Sequence, residues 1–277
     1  MTAEVDQGRA GRNVPVAIAV GVGLGALVLV TLYLYKPAFL AVVVLAIGMG
    51  MYELTRAVQA KDLHPPMVPL VLGAVAILCT SYALGRDWMT TAMLLTIPAV
   101  LIFRVPRGVD GIVGDLSSSL LALLYVGFLA GFCGLLLAPD DGARRVTCFV
   151  ATVVASDVGG YAVGAMLGRH MLAPKISPKK SVEGLCGSVV LCAFVGWLLC
   201  TTLLHTYWWQ GILLGLSLVT SATLGDLGES MVKRDLGIKD MGSLLPGHGG
   251  LLDRLDSLLP SAPVAWALLS AFVTPHS

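Results

Sequence analysis

The sequence predicts an all-α, polytopic integral membrane protein with about nine transmembrane helices and its N-terminus in the cytoplasm. Composition is the first ground. Of 277 residues, 56% are hydrophobic and 13% are charged, about half the roughly 25% charged residues of a soluble domain. A mean hydropathy of +0.85 is too high for one water-soluble core of this size. That excludes a cytosolic enzyme, a disordered chain and a nucleic-acid-binding module. The second ground is a succession of apolar runs near the ~20 residues needed to cross a hydrocarbon core of ~30 Å. The third is where the basic residues fall, because the net charge of +1 steers nothing globally and leaves only local electrostatics.

Taken in order, Val14 to Tyr35 carries no charge and qualifies outright. Ala38 to Tyr52 is short, bounded by Lys36 and Glu53. Pro65 to Gly85 follows, then Trp88 to Phe103, also short. Leu116 to Ala138, Val146 to Gly168, Leu185 to Leu204, Gly211 to Gly225 and Ser257 to Val273 complete nine runs. With nine spans, the segments sharing a side with the N-terminus hold Arg9, Arg12, Arg56, Lys61, Arg104, Arg107, Arg169, Lys175, Lys179, Lys180, Lys233, Arg234, Lys239 and Arg254. The opposite side holds only Lys36, Arg86, Arg144 and Arg145. A 14 to 4 split of the 18 basic residues places the richer side in the cytoplasm and the C-terminus outside.

The chain reads as a single membrane domain over 1–277, with N-terminal helices of weak signal over 1–145 and a catalytic half over 146–277. The acidic residues among Met1 to Val14 and the length of the first apolar run argue for a retained first span rather than a cleaved signal. Glycine spaced by four (Gly160, Gly164 and Gly168; Gly21 and Gly25) suggests close helix packing. The six cysteines lie in or beside apolar runs with no metal-ligand spacing, so they read as small buried apolar residues.

Three groups of polar residues stand out. Asp157 lies eleven residues from each end of its span, near the bilayer midplane, where an aspartate costs at least about 2.5 kcal/mol and defaults to a functional reading. Tyr161, one turn on, is a possible partner. In the segment 169–184, Pro174 and Pro178 preclude a continuous helix, so a loop presents Ser177, Lys179 and Lys180. In the segment 226–256, Asp226, Glu229, Ser230 and Lys233 share one face if the preceding span continues as a helix. Arg234, Lys239, the run Pro246-Gly247-His248-Gly249-Gly250, and Asp253, Arg254 and Asp256 follow. Glycines beside His248 permit backbone amides to approach an anion. Carboxylates interleaved with basic side chains are the equipment for magnesium-assisted chemistry on a polyphosphate.

At these residues the chain resembles a known family. The stretch from Ser230-Met231-Val232-Lys233-Arg234 through Lys239-Asp240-Met241-Gly242 to Leu245-Pro246-Gly247-His248-Gly249-Gly250-Leu251-Leu252-Asp253-Arg254-Leu255-Asp256 is similar to the signature of phosphatidate cytidylyltransferases, the CDP-diacylglycerol synthases. Ser156-Asp157, Tyr161 and Gly164, with Ser177 to Gly184, resemble two further blocks. The resemblance is sharp from about Ser156 to Ser257. Val158 and Ser181 depart from it, the first by losing a hydroxyl beside Asp157, the second by replacing threonine with another hydroxyl.

The resemblance implies transfer of CMP from CTP to phosphatidate, giving CDP-diacylglycerol and pyrophosphate. It implies Asp226 and Asp253 as ligands of Mg2+, with a second, monovalent or divalent cation adjacent. Asp157 then belongs to the polar cavity. Lys179, Lys180, Lys233, Arg234, Lys239 and Arg254 are candidates for holding the triphosphate and the lipid phosphate, and His248 for bonding a phosphate or assisting pyrophosphate departure. Ser177, Ser230, Gly249, Gly250 and Asp256 are candidate substrate contacts. The expected setting is a bacterial plasma membrane with the site facing the cytoplasm, membrane lipid around it and a homodimer as the assembly. A transporter would also suit a midplane aspartate, but it leaves the dense 226–256 segment unexplained. Asp141-Gly142-Ala143-Arg144-Arg145 faintly resembles the opening of a CDP-alcohol phosphotransferase motif, without that motif's later aspartates. A polyprenol kinase is a nearer rival as another membrane enzyme using CTP or CDP-linked lipids, whereas a non-catalytic scaffold would have little reason to retain every charged signature position.

Overall fold

The computed structural model describes residues 14–242 and 249–273. The all-α, multi-span architecture is as expected: eight helical segments are long and apolar enough to cross a membrane, and α1 (Val14–Leu34) precedes them. Then follow α2 (Lys36–Ala57), α3 (Met67–Leu84) and α4 (Arg86–Arg104). The next span is composite: α5 (Ile112–Ala122), a π-helical stretch (Leu123–Phe128) and α6 (Leu129–Leu137). After α7 (Gly142–Leu167), the strands β1 (Met171–Ala173) and β2 (Ser177–Ser181) lead to α8 (Val182–Leu203) and α9 (Trp208–Leu236). The chain closes with α10 (Leu252–Leu255) and α11 (Leu258–Phe272).

Several boundaries move outward from the apolar runs. The short second and fourth spans are full helices of 22 and 19 residues because Lys36, Glu53, Arg86 and Arg104 are helical. The eighth is 29 residues long and continues past Gly225 through Asp226 to Leu236, where Gly237 adopts φ 71° and caps it. The segment 169–184 is a two-stranded antiparallel hairpin rather than a loop, with Met171 opposite Ser181. Its two prolines exclude helix but leave the extended backbone available. Glu183 ties the hairpin base by accepting from the Arg169 and His170 amides at 3.0 and 3.2 Å. The Ser181 hydroxyl caps α8 by accepting from Gly184 N at 3.0 Å.

Helix α8 is held between α7 and α9 at backbone contact distance. A Cβ added to Gly159 would lie 2.6 Å from the Gly187 carbonyl oxygen, and one on Gly211 would lie 2.5 Å from that of Gly196. Glycine is therefore required on both faces of the sandwich. The Gly160–Gly164–Gly168 stripe packs in the same interface, against Ser188, Ser181 and Gly184. The other stripe does not: Gly21 and Gly25 have nothing within 4 Å. Among the cysteines, Cys148, Cys192 and Cys200 are buried, whereas Cys186 is exposed, against expectation. A run's apolarity does not specify which side of a helix meets protein.

Two opposite ends of the bundle are stitched separately. At one end, Lys36 donates to the carbonyl oxygens of Pro139 and Asp140, Tyr33 meets Thr147, and Arg145 pairs with Asp141 at 2.8 Å and reaches the Val273 carbonyl. Asp141 thus serves the start of α7. At the other end, Lys61 pairs with Asp235, and Arg234 donates to the Ile176 carbonyl. There, too, Arg104 is buried with Asp115 at 2.6 Å while Asp115 accepts from the His64 amide. Residues assigned by charge to the same side therefore meet at the same end.

Candidate active site

A cavity of about 320 Å³ opens between α7, the hairpin, α8 and α9. It gathers Asp157, Ser177, Lys179, Lys180 and Asp226 from three separate parts of the sequence, with Tyr161 at its edge. The hairpin carries Lys179 and Lys180 on consecutive positions of β2, and both line the cavity. Lys180 forms an ion pair with Asp226. Asp157 lies in the electrostatic field of Lys180 and Arg254 and of the acidic Asp226 and Asp256. The polar lining also includes Ser156 and Ser181, which lie inside the two resembling blocks, and Ser188 and Thr223, which no motif indicated.

Continuation of α9 past the apolar run confirms the shared face expected for Asp226, Glu229, Ser230 and Lys233. Ser230 donates to Asp226 Oδ1 at 3.4 Å. One turn further on, Lys233 Nζ lies 2.7 Å from Asp253 Oδ1 and 3.7 Å from Glu229 Oε1. Asp253 is buried and uses its second oxygen for two backbone amides, Met241 N at 3.0 Å and Gly250 N at 2.9 Å. The Gly250 amide therefore points at a carboxylate of its own turn. Gly249 holds φ 81°, a left-handed backbone that favours glycine. Asp256 accepts from the Ser257 amide and hydroxyl at 2.7 and 3.1 Å.

Of the described candidates in the 226–256 segment only Asp226 lines the cavity; Ser230, Lys233, Gly249, Gly250, Asp253 and Asp256 do not. Arg234 is exposed and tethers the hairpin through Ile176. Lys239 and Arg254 are exposed on the same end of the molecule. His248 lies outside the described residues. Conversely, two acidic side chains matter more than their sequence positions indicated. Glu229 is 1% exposed, and both its oxygens are buried without a hydrogen-bond partner. Glu53, which had seemed only to bound an apolar run, is 2% exposed and accepts from Leu251 N and Leu252 N. The π-helical stretch also buries the Tyr125 hydroxyl, unpartnered, in the field of Glu229 and Asp256. Neither helical periodicity nor spacing foretells such a bulge.

The donor set can be tested against magnesium. The hard oxygen donors fall into two ion-paired sets, Asp226 with Lys180, and Asp253 and Glu229 with Lys233. Both Glu229 oxygens are buried without a hydrogen bond, with the Lys233 ammonium 3.7 Å from Oε1. Among the described residues, no three acidic, histidine or cysteine side chains are gathered to cage an ion. Magnesium is usually held by one or two carboxylates, with water and substrate phosphate completing its shell, so this donor set fits it.

Comparison with known proteins shows the family over most of the chain. It is 40% identical to a phosphatidate cytidylyltransferase of Mycobacterium leprae, covering 95% of this chain and 89% of that protein. It is 37% identical to the protein of that name from Mycobacterium tuberculosis, over 96% of this chain and 85% of the relative. The Synechocystis protein of the same name is 33% identical, over 82% of this chain and 87% of the relative. The model of the cytidylyltransferase family matches residues 15–272, and the chain belongs to that family.

Proposed function

We propose that this protein transfers CMP from CTP to phosphatidate, yielding CDP-diacylglycerol and pyrophosphate. The observation that carries the reading is the cavity in which Lys179, Lys180, Asp157 and Asp226 meet at one end of a membrane-spanning bundle. A phosphate head group can enter such a pocket while its acyl chains remain in lipid. The relatives' names supply the substrates.

In this reaction a phosphatidate oxygen bonds to the α-phosphorus of CTP, and the bond from that phosphorus to the α–β bridging oxygen breaks. Pyrophosphate leaves with the electron pair. The nucleophile is already an oxyanion, so the protein's task is alignment and charge screening rather than proton abstraction. Lys179 and Lys180 bring cationic charge from the hairpin, and Lys233 from α9; Arg234, Lys239, Arg254 and His248 complete the candidate phosphate contacts. Ser177, Ser230, Gly249, Gly250 and Asp256 would orient the substrates. Magnesium would be held by Asp226 and Asp253, with Glu229 adjoining and a second, monovalent or divalent cation beside it. When bound, it offsets phosphate charge. The protein is an integral membrane protein; we further assign it to a bacterial plasma membrane, with its site facing the cytoplasm, and to a homodimer.

The test uses purified protein in detergent with phosphatidate, CTP and magnesium, following pyrophosphate and CDP-lipid together. Formation of both, lost in a folded Asp226→Asn variant, supports the reaction and the residue. No CDP-lipid from folded wild type, across phosphatidates and cations, refutes the assignment.

A further inference from the structure

We propose that Glu53 is a positioning residue for this reaction: it clasps the glycine turn that aims Asp253. The inference rests on the activity assigned above, but its geometry is independent of that activity. Glu53 belongs to α2, far from the site in sequence, and its carboxylate is 2% exposed. Its Oε1 accepts from Leu251 N at 3.0 Å, and its Oε2 from Leu252 N at 2.8 Å. Asp253 Oδ2 accepts from Gly250 N and Met241 N at 2.9 and 3.0 Å. Two carboxylates from opposite halves of the chain therefore engage the backbone N–H groups of Met241, Gly250, Leu251 and Leu252.

The packing leaves no slack. A Cβ at Gly250 would lie 2.9 Å from Glu53 Oε2 and 2.7 Å from Asp253 Oδ2. Gly242 likewise abuts the Glu53 carboxylate. An apolar side chain of similar size would fill the space but leave two buried N–H groups unmet. A carboxylate is costly within a membrane-spanning helix, and here it meets two donors with charge-assisted hydrogen bonds. With Gly250 to Leu252 fixed from both sides, Asp253 Oδ1 is held toward Lys233 at 2.7 Å. Glu53 does not line the cavity, so its influence runs through the turn.

The experiment compares wild type, Glu53→Gln and Glu53→Asp as full-length protein in detergent. Three quantities are read: hydrogen exchange across Gly250–Leu255, the steady-state constants, and the magnesium concentration giving half-maximal rate. In Glu53→Gln one backbone donor loses its acceptor, so exchange in the turn rises by about tenfold or more. We expect kcat to fall by a similar factor while KM for CTP and phosphatidate moves less than about threefold. Half-maximal rate then requires more magnesium, and Glu53→Asp restores part of each quantity. Unchanged exchange in Glu53→Gln overturns the proposal. So does a rate loss that tracks only the loss of folded protein at wild-type magnesium dependence. A wild type that makes no CDP-lipid refutes the assigned reaction, and this role in it, by a separate reading.

Discussion

Replacing Lys233 with methionine removes one ammonium group from between two buried carboxylates and leaves the apolar stem almost unchanged. The ammonium stands 2.7 Å from Asp253 Oδ1 and 3.7 Å from Glu229 Oε1, and the three side chains are 15%, 5% and 0% exposed. At an effective dielectric constant of ~20 the two attractions are each of the order of 4–6 kcal/mol before desolvation. The lysine's own desolvation offsets much of that gain, but deleting it leaves the carboxylates buried and uncompensated. Breaking a buried pair in this way costs about 3–5 kcal/mol. At ~2–4 °C per kcal/mol for chains of about this size, the unfolding midpoint should fall by roughly 6–20 °C. Thermal unfolding of the detergent-solubilised protein reads this directly. A second substitution, Glu229→Gln, should return part of the loss in the Lys233→Met background, giving a coupling of about 1–3 kcal/mol. CDP-lipid formation should not return with it. A Lys233→Met protein within ~1 kcal/mol of wild type, with no coupling to Glu229, would falsify the reasoning that these charges hold one another in place.

Asp115→Ala should destabilise the protein by about 3–5 kcal/mol, because it strands the buried Arg104 guanidinium and the His64 amide; chemical unfolding checks it, and a loss below ~1 kcal/mol counts against it. Gly211→Val should separate α8 from α9 at the Gly196 carbonyl and sharply reduce the yield of folded protein, measured by size-exclusion profile; a wild-type profile would contradict the close approach. Lys180→Met should reduce kcat/KM by at least about tenfold, as loss of a charge-assisted phosphate contact implies, whereas retained activity would remove Lys180 from the site. Chelation of divalent cations should abolish CDP-lipid formation and magnesium should restore it; turnover that survives chelation would dismiss the cation from the reaction.

The span pattern was legible because a chain crossing lipid must be apolar along its length, and each of the nine apolar runs corresponds to a helix. Charge was less informative about ends: Lys36, Glu53 and Arg104 fall inside helices because their partners lie on other elements. The carboxylates of α9 were readable from their three- and four-residue spacing. Glu229 stood in that pattern, but the spacing did not indicate its burial or its missing hydrogen bonds. Glu53 was unreadable because its partners are backbone amides of a distant turn, and no local spacing encodes them. The hairpin was missed for a related reason: proline excludes helix without choosing between a loop and a strand. Tyr125 depends on a π-helical stretch, which its apolar sequence does not announce.

The pairing of Lys180 with Asp226 and of Lys233 with Asp253 has a consequence for the order of events at the site. A cation arriving alone must evict an ammonium group, and a phosphate arriving alone must draw that ammonium away from its carboxylate. Each single entry leaves one charge without its partner, and at Lys233–Asp253 that charge is buried. If both arrive together, the lysine passes to the phosphate and the carboxylate to the cation, and no charge is left over. On the proposed cation and phosphate roles, the resting pairs would behave as an ion exchanger that favours a metal–nucleotide complex over either component, and binding of the two should be thermodynamically coupled.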